Sequence, residues 1–250
     1  MSLPEILKEP IKELLVPPAS SAGQTLKDAW ELVFGGFGTY VEKKRLERFY
    51  ALQSFKKSLE AKVAAIPNDK ICEPRLSIIG PALESSKYYF EEPEIREMFA
   101  NLIAAAMNKD TEPVVHPAFT EIIKQMSPLD AMNLSVFSNK PLPIAQYLLK
   151  ELNGKIYRVL LSNVFLSNPH LTDPHKQSHS ISSLEYLGLV KVDYGTWLPA
   201  DSAYLAFYEN DLYISYKTGS FDYPDVTVSL DKGIVSLTPL GRTFKSICLP

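Results

Sequence analysis

The sequence predicts a mostly α protein: an N-terminal helical bundle, then a smaller α+β domain. Three observations carry this. Apolar residues recur at steps of three and four through the first half, which is the spacing of one helix face. Runs rich in Tyr, Val and Ile between Asn and Asp turn signals appear only after residue 190, and such residues fit a pleated, half-buried surface. Hydrophobic residues make up 46% and charged residues 22%, which excludes a disordered or collagen-like chain. The expected domains are an amphipathic segment and linker at 1–20, the bundle at 21–126 and the mixed domain at 127–250.

Residues 1–16 place Leu3, Ile6, Leu7, Ile11, Leu14 and Leu15 on one helical side. Pro10 kinks this helix, and the run from Pro17 to Ser21 reads as a linker. Residues 24–38 carry Leu26, Trp30, Val33, Phe34 and Phe37 with Gly35, Gly36 and Gly38. This is a core helix with close backbone contacts. Alternatively, the 30–40 segment, whose part from Leu32 on belongs to the uncharged stretch Leu32–Val41 beside Lys43, Lys44 and Arg45, inserts into a membrane surface. Leu46, Phe49, Leu52, Leu59, Val63 and Ile66 predict one long amphipathic helix over 41–66, closed by Pro67. A second helical region spans 74–90 and is interrupted at Gly80-Pro81. Pro93 opens a third, running to about 108 through Ile95, Met98, Phe99, Leu102, Ile103 and Ala106. Another starts at Pro117 with Phe119, Ile122, Ile123 and Met126. Ser127-Pro128-Leu129-Asp130 reads as N-cap, N1 proline and an acid at N3. It launches a helix to about 138.

Residues 140–152 read as a short helix and 156–166 as helix or strand. Residues 177–187 read as a helix stopped by Gly188, a natural residue just past a helix end. Strands are expected at 191–197, 203–208, 212–217 and 227–237, with turns at Asn210-Asp211 and at Asp231-Lys232-Gly233. Thr238-Pro239 caps a closing helix that carries Phe244, Ile247 and Cys248.

Net charge is −3, and the last hundred residues hold 8 basic and 10 acidic side chains. Nucleic-acid binding usually needs a basic face, so this balance argues against it. Cys72 and Cys248 stand far apart in the sequence, which fits a reducing compartment. The opening residues lack the basic stretch and apolar run of a secretory signal. The longest uncharged run, 159–172, is too short and too polar for a membrane span. A cytoplasmic protein without a transmembrane span is expected.

The chain shows no GxSxG, P-loop, GxGxxG or HExxH. His170, His175 and His179 share a short stretch, but Pro169 and Pro174 break it. No metal site, cofactor or catalytic set is therefore expected, and the protein reads as a non-enzyme that binds a partner. The binding candidates are Arg96, Glu97 and Asn101 on the polar side of one helix, His116 at a helix start, and Lys124. Arg96 can grip an acidic group through two parallel bonds.

The order helix, Leu187-Gly188-Leu189-Val190, strand, hairpin, strand, Leu237-Thr238-Pro239-Leu240-Gly241-Arg242, helix resembles a winged-helix domain. That resemblance implies a recognition helix offering Lys176, Gln177 and His179, with Lys191 beside it. A winged-helix nucleic-acid regulator is accordingly an alternative function, and the membrane-active effector is a second. The middle of the chain carries three blocks. They are 81–90 (PALESSKYYF), 94–103 (EIREMFANLI) and 115–131 (VHPAFTEIIKQMSPLDA). In this order they resemble the abortive-infection alpha (Abi-alpha) family of bacteria. The resemblance implies a role in defence against bacteriophage, by harming or arresting the infected cell; the partner expected for it is a phage-encoded or host protein. It carries over no catalytic residues, and it leaves self-association open.

Overall fold

The computed structural model describes residues 21–34, 42–151, 153–171, 173–219 and 226–249. The expected 1–20 segment, and the part of the 30–40 stretch beyond Phe34, lie outside these. The chain forms two compact units. One ends at Pro128 and also takes in the residues from Phe244 onward, and the other is Leu129–Thr243.

The first unit is helical. Its elements are α1 (Ser21–Phe34), α2 (Glu42–Ala64), α3 (Leu76–Ser86), α4 (Pro93–Ala106) and α5 (Ala118–Gln125). The centre is α4, which packs against α2, α3 and α5. Eight of its fourteen residues are buried, among them Ile95, Met98, Phe99, Leu102 and Ile103. That is more than one stripe, as a helix enclosed by neighbours requires. α1 buries Leu26 and Trp30, and the Trp30 ring stacks on Phe55 of α2 at 5.8 Å. α3 runs unbroken through Pro81. A proline removes one N–H from the ladder, and Ser77, whose carbonyl that N–H would meet, is exposed to water. Two backbone bonds tie the segment before α3 to the end of α4: Cys72 N–H to the Met107 carbonyl and Lys109 N–H to the Lys70 carbonyl, each 2.9 Å.

The second unit begins with α6 (Pro128–Val136). It continues through β1 (Leu142–Glu151), β2 (Ile156–Val164), α7 (Pro174–Tyr186), β3 (Val190–Asp193), α8 (Leu205–Tyr208), α9 (Asp211–Thr218) and β4 (Val226–Leu237). Then comes α10 (Pro239–Cys248), which runs past its end. The four strands form one antiparallel sheet in the order β2-β1-β4-β3. α7 packs on β2 and β3. A second core is built from Ala145, Tyr147, Val164, Tyr204, Phe207, Tyr213 and Leu230.

Several sequence readings are corrected here. The 140–152 stretch is strand β1, not helix. It lies between two strands and buries Ile144, Ala145, Tyr147, Leu148 and Leu149. Its apolar residues therefore do not alternate, and their spacing imitates a helix. The 203–208 and 212–217 stretches are helical, not extended. Tyr204, Phe207 and Tyr213 face inward at steps of three and six, and Asn210 caps α9 by accepting the Leu212 N–H at 3.1 Å. The turn expected at 231–233 is absent, and β4 runs through it. Gly233 makes room: a Cβ there would lie 2.7 Å from Tyr194 and 2.8 Å from the Asp193 carbonyl. Residues 156–166, open between helix and strand, fold as β2 through Val164. The hairpin to β1 turns at Gly154, whose φ of 86° suits glycine.

Candidate functional site

In the helical unit, α2, the bend before α4, and the first turn of α4 enclose a groove of about 430 Å³. It is lined by Tyr50, Ala51, Ser54, Phe90, Glu91 and Arg96. Pro93 at N1 starts α4, and the backbone N–H of Arg96 closes on the Glu92 carbonyl at 2.9 Å. That places the Arg96 side chain against the bend, where its Nη1 donates to the Phe90 carbonyl at 3.0 Å. The guanidinium Nε–H is buried and meets no acceptor. No ion pair to Arg96 forms among the described residues. Leaving a buried donor unpaired costs roughly 1–3 kcal/mol, and more when it is charged.

The structure does not gather the other candidates around Arg96. Glu97 accepts from Ser58 Oγ at 2.6 Å and pairs with Lys62 at 3.3 Å, fastening α4 to α2. Asn101 donates from Nδ2 to the Cys248 carbonyl at 2.9 Å, which satisfies one of the open carbonyls at the end of α10. His116 is exposed, and its Nδ1 accepts the Ala118 N–H at 3.1 Å as α5 begins. Lys124 is exposed near the other end of α5 and bonds Glu121 at 2.8 Å, a partner that raises its pKa. Four of these five side chains thus serve contacts between or within helices, and Arg96 lines the groove.

The nucleic-acid candidates separate likewise. Lys176 and His179 are exposed on α7, and Lys191 is exposed on β3. Gln177 is fully buried and donates from Nε2 to the Leu171 carbonyl at 3.0 Å, so it is out of reach of an external strand. Its Oε1 is buried and meets no donor.

Sequence reasoning missed a buried polar ladder in the second unit. Asn168 Nδ2 donates to Asn133 Oδ1 at 2.8 Å, and Asn133 Nδ2 donates to Ser180 Oγ at 3.0 Å. Ser180 donates to Asp130 Oδ1 at 2.6 Å, and Ser183 to Oδ2 at 3.3 Å. Asp130, Asn133, Asn168 and Ser180 are each at most 3% exposed. Four small polar residues, Asp130 and Asn133 in α6 and Ser180 and Ser183 in α7, were the signal, and a helix-face projection of residues 174–186 would have shown the two serines on one side. The ladder sets the Asp130 carboxylate against the hydroxyls of Ser180 and Ser183. It ties α6, α7 and the loop after β2 together.

No cluster of three or more His, Cys, Asp or Glu able to hold a metal occurs among the described residues. No helix among them is long and apolar enough to cross a membrane. No curated protein and no solved structure gives a significant match to the chain. One family model, described as abortive infection alpha, matches residues 47–248.

Proposed function

The chain belongs to the abortive infection alpha family, and from that membership we propose that it is a bacterial phage-defence protein that acts by binding a partner protein, not by catalysis. The match, which runs from α2 into the closing helix, is the observation that carries the defence role. Two features of the side chains support the binding mode. Glu97, Asn101 and Lys124 spend their polar atoms on internal contacts. The Asp130 ladder is buried, and its hydrogen bonds join α6, α7 and the loop after β2. Arg96, by contrast, lines a groove with its Nε–H meeting no acceptor among the described residues.

A plaque assay tests the role. Cells expressing the chain are expected to yield fewer plaques than control cells for at least some phages of a broad panel. Undiminished plating by every phage ends the proposal. The binding mode is tested with the same cells. Pull-down before and after infection is expected to give a phage or host protein that co-purifies in stoichiometric amount. A purified chain that instead turns over nucleotide or cleaves nucleic acid overturns it.

A further inference from the structure

We propose that the groove beside Arg96 recognises a single acidic side chain on an extended segment of the partner protein. This rests on the partner-binding reading above and names the chemistry of the contact. A guanidinium has five N–H donors and no acceptor of its own. Among the described residues, Arg96 Nη1 meets one carbonyl, Phe90 O, and its buried Nε–H meets no acceptor. The fold therefore carries a cation to the wall of a groove and leaves its Nε–H unpaired there. A carboxylate is the acceptor whose planar fork matches that shape.

The surroundings narrow the ligand. Tyr50 and Glu91 on the rim are exposed, so the groove is open and does not enclose a ligand as a small-molecule pocket does. An extended peptide can lie in such a groove. Arg96 is the one cation among the six residues that line the groove. One carboxylate is therefore matched there, whereas a run of acids, or the repeating phosphates of a nucleic acid, finds no second positive partner.

The test uses the full chain and two synthetic heptapeptides. They are identical apart from a central glutamate or glutamine between leucines. Binding is followed by the ¹⁵N resonance of Arg96 Nε. The glutamate peptide is expected to shift that resonance and to bind about tenfold tighter than its glutamine twin, the scale of one charge-assisted hydrogen bond. Arg96→Gln is expected to abolish the preference, and Arg96→Lys to keep part of it. Equal binding of the two peptides to the unaltered chain overturns the proposal, and that comparison needs no variant to fold. A preference that survives in a folded Arg96→Gln chain overturns it too. Phage protection without a peptide preference removes this inference alone. A peptide preference without protection removes only the defence role.

Discussion

Gly241 shows how much one missing methyl can matter. A Cβ at this position would sit 1.8 Å from the carbonyl oxygen of Leu189, where Thr238 caps α10 by accepting the Gly241 N–H at 2.9 Å. Gly241→Ala is expected to destabilise the chain by about 3 kcal/mol or more. Gly80, inside α3, has nothing within 4 Å of such a Cβ. Gly80→Ala is expected to stabilise by about 0.5–1 kcal/mol, because alanine loses less backbone freedom in a helix. Urea denaturation of both variants checks the opposite signs. Asp130→Ala leaves the Ser180 hydroxyl buried without its acceptor and should cost about 2 kcal/mol or more, whereas Asp130→Asn keeps an acceptor and should cost less. The acid at Asp130 was legible as a helix-start residue. Its burial was not, since the hydroxyls that bond it are 50 and 53 positions away.

The clearest lesson about whole segments comes from the stretch between β3 and β4. Its tyrosines favour strands on average, yet burial of Tyr204, Phe207 and Tyr213 against the sheet selects helix. Strand preference reflects how side chains fit their neighbours, and the neighbours here come from β1 and β4. Long one-sided patterns such as α2 and α4 were legible because their period survives whatever they pack against. The strands also give a pH prediction. The Tyr194 hydroxyl bonds Asn163 in β2, accepting its N–H at 2.8 Å and donating to its Oδ1 at 2.9 Å. Asn163 holds a φ of 53°. Burial pushes the Tyr194 pKa up to about 12. An unfolded tyrosine ionises near pH 10, so the folded chain holds a proton that the unfolded chain has lost. The contribution is complete below pH 10 and falls as pH rises toward 12, by about 1.4 kcal/mol per pH unit for each such group. Tyr194→Phe is expected to flatten that alkaline decline, as measured by denaturant titration from pH 9 to 12.

Chain order and spatial grouping disagree at the C-terminus. Phe244 is fully buried and meets Phe119 edge-on at 5.2 Å, and Cys248 accepts from Asn101. The helical unit is therefore completed by residues more than a hundred positions beyond its other members. Phe244→Ala is expected to cost about 3–5 kcal/mol through the cavity it leaves. A chain cut before Phe244 should lose protection in α4 and α5 by hydrogen exchange, although both helices remain in its sequence. Retained protection there would show that these contacts add little. The groove at Arg96 belongs to this unit as well, so truncation is also expected to weaken any partner that docks on it.

Local chemistry was enough to place the long helices, the stop at Gly188, the near-neutral charge and the three-block likeness to a defence family. Each depends on residues close together in the chain, or on sums that no fold can change. Folding settled what depends on distant neighbours: that 140–152 is a buried strand, that tyrosine-rich segments coil, and that Asp130 is enclosed by serines. It also left Arg96 on a groove wall with its Nε–H meeting no acceptor among the described residues. Burial and hydrogen-bond satisfaction are properties of pairs of surfaces, and one stretch of chain carries half of each pair.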